Sequence, residues 1–123
     1  MSNATEVIWS KGSRDINWFH DGIAHSMRLA APIGNAILLK DGSGFVTVEN
    51  VSKLGLDNAA IWNGDGTLRC RPKNPFGPRS EFQFYYAEYI RDRLHLILAS
   101  VTRDIGVFID ENTGEVTDQH EAR

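Results

Sequence analysis

Four histidines, one cysteine and sixteen acidic residues are the groups of this chain suited to metal, nucleophilic or acid–base chemistry. His20 and His25 stand closest together, with Asp21 between them, and a strand–turn–strand would bring both rings to one side. Zinc takes three or four such ligands, and no Cys/His pattern accompanies the pair. His95 falls mid-strand on the less apolar face and His120 in a polar tail. The histidines therefore read as scattered, and no metal ligand set is assigned. Asp110-Glu111-Asn112-Thr113-Gly114-Glu115 places oxygens at alternate positions, as a calcium loop does. Its glycine is misplaced and no bidentate acid follows at the right distance. Asn and Asp side chains bonding their own backbone in a turn explain the run more simply.

Nucleophile motifs are missing. No serine sits in a G-x-S-x-G elbow, and Cys70 has no histidine near it in sequence. Gly42-Ser43-Gly44 and Gly64-Asp65-Gly66 do not open helices, so they read as hairpin glycines rather than phosphate cradles. Carboxylate pairs such as Glu81 and Glu88 can be drawn from any set of sixteen acids and point to nothing by themselves. The expectation is a protein without catalytic residues, cofactor or metal; an enzyme here would need a spatially assembled site.

The aromatic set is larger than one small core needs: Trp9, Trp18, Trp62, Tyr85, Tyr86 and Tyr89. Interfaces concentrate such residues at their centres. Phe82, Phe84 and Tyr86 alternate with Gln83, Tyr85 and Ala87, which places Tyr85 and Tyr89 on the less apolar face. Acids gather late, at Asp104, Asp110, Glu111, Glu115, Asp118 and Glu121. The segment from Arg71 to Arg79 has three prolines among its nine residues and carries Phe76, so it is an extended loop. The expected partner-binding residues are Trp62, Tyr85, Tyr89, Asp110, Glu111, Glu115, Phe76 and Arg79. Charge reversal at Glu111 and Glu115 would then weaken capture of a basic partner.

The elements that must hold these residues read as strand after strand. Ile61-Trp62-Asn63-Gly64-Asp65-Gly66-Thr67-Leu68 is the clearest hairpin, with a doubled turn signal between apolar arms. Sister turns stand at Asp41-Gly42, Asp92 and Asn112-Thr113-Gly114. Ile16–Phe19 and Ile23–Leu29 flank Asp21-Gly22, although Ile23, Met27 and Ala30 also fall at helix spacing and a helical turn stands beside the strand reading. Residues 52–57 form a connector with room for one helical turn. Glu81–Ile90 and Leu94–Thr102 make the longest pair, and apolar residues on both faces mark the second as the central strand. Residues 118–123 read as a frayed tail. The fold class is all-β: an antiparallel meander of seven to nine strands with little helix, as a twisted sheet, sandwich or small barrel.

A length of 123 residues reads as one β-domain over 1–123, with 41% hydrophobic and 24% charged residues, as in ordinary folded proteins. The lone Cys70 forms no internal disulfide and alternates with two arginines, so it points inward. No signal peptide and no membrane-length apolar run is visible. A reduced, cytoplasmic setting follows as the expectation. The net charge of −3 disfavours nucleic acid as a partner and suits a basic protein surface.

Val107-Phe108-Ile109-Asp110-Glu111-Asn112-Thr113-Gly114-Glu115-Val116 resembles the strand–turn–strand edge of β-propeller blades. Asn58-Ala59-Ala60-Ile61-Trp62-Asn63-Gly64-Asp65-Gly66-Thr67-Leu68-Arg69 resembles a segment of small bacterial proteins, some of which are immunity partners of secreted toxins, including contact-dependent inhibition systems. That resemblance implies a non-enzymatic immunity protein that neutralises a cognate toxin by covering its surface. The rival reading is a small-molecule or carbohydrate-binding β-domain, or a hydrolase, with Trp18, Trp62, His20 and His95 around a pocket. A structural, oligomerising subunit is the third.

Overall fold

A computed structural model describes residues 4–51, 57–77 and 81–121, and the regular structure of these residues is entirely β. Eleven antiparallel strands form three separate sheets. The first contains β1 (Ala4–Trp9), β2 (Asp15–His20) and β3 (Ile23–Arg28) in chain order. The second contains β4 (Ile33–Leu38), β5 (Gly44–Glu49), β6 (Ala59–Asn63) and β7 (Leu68–Cys70). The third contains β8 (Gln83–Ile90), β9 (Arg93–Ala99), β10 (Asp104–Ile109) and β11 (Val116–Glu121). The all-β antiparallel expectation holds. The strands outnumber the seven to nine expected, and the ladder is broken into three because the segments around Pro32 and Pro72 leave the strand path.

Two local expectations are settled by pairing. Ile23–Arg28 is a strand, with Asp15 opposite Arg28 and His20 opposite Ile23, so the helical turn gives way. The polar tail is paired as far as Glu121, which lies opposite Ile105. Backbone pairing does not require apolar side chains, and a charged strand suits a sheet edge. The connector at 52–56 lies outside the described residues.

The three sheets stack face to face with the second in the middle. Phe45 faces the first sheet, and a core closes there between Ile16, Trp18 and Leu29 on one side and Phe45, Ile33 and Ala36 of the middle sheet on the other. Val46, Val48 and Ile61 face the third, against Phe84, Leu94, Leu96, Leu98, Ile105 and Val107. Strand β9 lies between β8 and β10, the central position expected of the segment 94–102, and β5 is buried on both faces along its whole length. Its polar letters conceal this in sequence. Thr47 is fully buried because its hydroxyl accepts the Trp62 indole N–H at 2.9 Å. Strand β1 packs on β4, and both β4 and β5 pack on β8.

Asparagines join the middle sheet to the third. Strand β8 is a sheet edge, and its outward backbone groups would otherwise be unpaired inside the protein. Asn58 accepts from Phe84 N at 2.9 Å and donates to Phe84 O at 2.8 Å. Asn35 accepts from Ala87 N at 2.9 Å, and Asn74 donates to Phe82 O at 2.8 Å. The proline-rich loop thus serves as a brace, because it carries Asn74. The doubled turn is an anchor of the same kind: Trp18 Nε1 donates to Gly64 O at 2.7 Å. Gly66, at φ 92°, supplies the left-handed conformation that the turn needs. Among the described residues, no helix is long and apolar enough to cross a membrane.

Candidate functional site

A concavity lies where the end of β1 meets the starts of β4 and β8 and the end of β5. It holds about 300 Å³ and is lined by Trp9, Asn35, Glu49, Gln83, Tyr85 and Tyr86, among others. Two strand irregularities open it. The β4–β5 register shifts between Ile33 and Asn35, at Gly34. The β8–β9 register shifts between Phe84 and Tyr86, leaving Tyr85 as the extra residue. Such bulges re-aim side chains and recur beside functional sites.

The second bulge overturns the face assignment made from alternation. Beyond it, Ala87 lies opposite Leu96 and Tyr89 opposite Leu94, in line with Phe84 opposite Leu98. Tyr89 therefore joins the core side, packed against the apolar cluster. Tyr86 leaves that side and is 42% exposed, beside Tyr85 at 61%. Alternation has period two, so one inserted residue exchanges the faces of everything after it.

The polar lining is rich in acceptors. Glu49 is only 7% exposed and has no ion-pair partner among the described residues. Gln83 Oε1 is buried with no hydrogen-bond partner among the described residues, which leaves a desolvated acceptor at the wall. Lys11 stands on the rim as the one cation of the lining. Three aromatic faces, a carboxylate and an unsatisfied amide oxygen together favour a ligand that is flat or cationic and donates hydrogen bonds.

The structure distributes the sequence-predicted contact residues widely. Tyr85 is at the cleft. Trp62 is half-buried, stacked near Phe45 with ring centroids 6.5 Å apart, and it secures the interface of the first two sheets. Phe76 stacks on Phe82 at 4.4 Å. Asp110 caps its own turn, accepting from Asn112 N at 2.8 Å and Thr113 N at 3.1 Å. Glu115 is exposed on the same turn, and Arg79 lies outside the described residues. Cys70 is half-buried, its thiol against Glu111 O at 3.8 Å, and burial raises its pKa. It is an unreactive packing residue. Trp18, Trp62, His20 and His95 line no part of the cleft. Sequence reasoning counted Trp9 and Tyr86 among the surplus aromatics but missed Glu49 and Gln83, which only the bulges and sheet stacking bring to them.

Tyr89 and Glu111 form a tie at the opposite end of β8. Tyr89 Oη donates to Glu111 Oε2 at 2.8 Å and accepts from Lys40 N at 2.8 Å, joining the second sheet's hairpin to the last one. Tyr89→Phe should cost about 1–2 kcal/mol in urea unfolding. Burial raises the phenol pKa, reinforced by Glu111 and opposed by the Lys40 amide. A folded-state pKa above the unfolded value of about 10 means this stabilisation is complete below that pH and is lost as pH rises beyond it. The native protein should therefore weaken progressively as pH rises above about 10, and Tyr89→Phe should show a flatter dependence. Parallel curves would overturn this role.

Fold and site together define an all-β stack of three antiparallel sheets with a concave aromatic and acceptor-rich cleft at their junction. No protein-family model matches this chain, and no curated protein matches it.

Proposed function

We propose that this protein is a non-enzymatic binding module that captures a basic protein by taking a cationic side chain into the cleft of Trp9, Tyr85 and Tyr86. The observation that carries the reading is the meeting of three aromatic residues with Glu49 and the unpartnered Gln83 oxygen around one small cavity. An aromatic face attracts a cation by about 0.5–2 kcal/mol, more as water is excluded. A buried carboxylate adds charge complementarity, and the exposed tyrosine pair is the composition of an interface hot spot. In the setting that the sequence resemblance suggests, the partner is a bacterial toxin, the role is immunity by surface occlusion and the compartment is the cytoplasm.

The test uses two levels of ligand. Titration with Nα-acetyl-arginine amide, followed by tryptophan indole NMR signals, should give a saturable shift that the citrulline analogue does not. Glu49→Gln should weaken binding at least about tenfold, and Lys11→Gln should strengthen it roughly threefold by removing a competing surface charge. Coexpression with the protein encoded beside this one should yield a complex, weakened about thirtyfold by Tyr85→Ala with Tyr86→Ala. Equal response to citrulline would overturn the cationic ligand, and an undiminished complex would place the interface elsewhere.

A second reading has its own support. The cavity's volume is at the lower end of small-ligand pockets, and aromatic walls beside amides also suit a sugar ring. Saturable shifts with neutral monosaccharides, and none with the arginine probe, would favour it.

A further inference from the structure

On the outer face of the third sheet, β9 and β11 bring together two histidines that sequence places 25 residues apart. His95 Nε2 and His120 Nε2 lie 3.1 Å from each other. The ring planes are within 20° and the centroids are 5.1 Å apart, so the rings meet edge to edge. The remaining nitrogen of each ring is committed. His95 Nδ1 is 3.1 Å from Glu88 Oε2, and His120 Nδ1 is 3.0 Å from the Glu121 carbonyl oxygen.

A carboxylate and a carbonyl can only accept, so the tautomer that satisfies both contacts carries its hydrogen on Nδ1, and in that tautomer each ring turns a bare Nε2 lone pair toward the other. Two lone pairs facing each other at this distance repel unless a positive centre joins them. The backbone is cut back to make room: a Cβ at Gly106 would overlap His95 Nε2 and lie 2.8 Å from His120 Nε2. Phe108 packs against His95 with centroids 4.8 Å apart and holds its ring in place.

We propose that His95 and His120 form a two-histidine site for one imidazole-preferring divalent transition-metal ion, of which zinc is the type. Bond lengths near 2.05 Å place two histidine nitrogens about 3.3 Å apart on a tetrahedral ion and about 2.9 Å apart as neighbours on a square one. The observed separation falls between these. Glu88 is a positioning residue that orients His95 and raises its basicity, the arrangement that supports metal-bound histidines generally. His95 is 2% exposed whereas His120 is exposed, so the ion enters from the solvent side of β11. Among the described residues no group of three or more His, Cys, Asp or Glu is placed to hold a metal. Water or a group of a bound partner therefore completes the coordination.

Zinc chloride titrated into the full chain at pH 7.5 should bind one equivalent in calorimetry and shift the ring signals of both histidines in NMR. Saturation should fall below about 1 mM, with magnesium chloride giving no response. His120→Ala is an exposed substitution that preserves the fold, and it should abolish the saturable phase. Glu88→Gln should weaken binding about tenfold. His20→Ala should leave it unchanged, which separates this site from the His20–His25 pair. Saturable binding that survives His120→Ala, or none below about 1 mM, would overturn the proposal. In the second case a shared proton is the pair's only occupant.

Discussion

Gly44→Ala should be the most damaging single methyl group that can be added to this protein, costing about 3 kcal/mol or more. Gly44 opens β5 opposite Asn63, at the point where β6 passes closest to it. A Cβ there would overlap the Trp62 carbonyl oxygen and lie 3.0 Å from the Trp62 carbonyl carbon and 3.2 Å from Asn63 Cα. All three are backbone atoms, so no side chain can swing aside. Relief requires the β5–β6 ladder to separate, and β5 is the strand buried against both neighbouring sheets. Gly34 is the control, because the nearest atom to its Cβ would be Val48 O at an ordinary 3.4 Å. Urea unfolding should place Gly34→Ala within about 1 kcal/mol of the native protein. Similar midpoints for the two variants would show that β6 is not held where the structure places it.

Asn58 should rank next. Its side chain is 4% exposed and bonds three backbone groups: Glu49 O at 2.7 Å, Phe84 O at 2.8 Å and Phe84 N at 2.9 Å. Asn58→Leu strands all three inside the protein, and at about 1–3 kcal/mol for each buried unpaired group the loss should reach about 3–4 kcal/mol after partial relaxation. Asn58→Asp is more informative. The acceptor facing Phe84 N survives, but a carboxylate oxygen replaces the amide that donates to two carbonyls. Burial and those carbonyls raise the introduced carboxyl's pKa in the folded state above the unfolded value of about 3.9. Its sign follows: the variant keeps most stability at acid pH, where the carboxyl is protonated and can donate, and loses it as pH rises. The gap to native should therefore widen between about pH 4 and pH 7. A gap independent of pH would mean that the side chain has rotated to water and that Asn58 does not staple β8.

The first prediction concerns the pairing inside the middle sheet and the second the joint between that sheet and β8, and the cleft depends on that joint. Asn58 fixes the end of β5 against the start of β8, which bring Glu49 and Gln83 to the cavity. A variant that loosens the staple without unfolding the chain should lose ligand affinity before it loses secondary structure. Circular dichroism and the arginine-amide titration, run on the same sample, would separate the two.

The strands and turns were legible in the sequence because they depend on neighbours in the chain. Asn63-Gly64-Asp65-Gly66 announces a turn through its local torsional preferences, and Phe82 and Phe84 announce a buried face by alternation. The all-β class follows from signals of that range. What the tertiary structure alone decided was which faces meet. The bulge at Tyr85 leaves no residue signature, yet it exchanges the sides of Tyr86 and Tyr89 and so moves the exposed aromatic surface to the cleft. Asn35, Asn58 and Asn74 read as turn or loop residues in isolation and act as buried staples only because an edge strand lies against them. His95 and His120 become a pair through the β9–β10–β11 register and the missing Cβ of Gly106. Local torsional preference is encoded residue by residue. Long-range register is set by the packing of three sheets at once, and both candidate sites arise there.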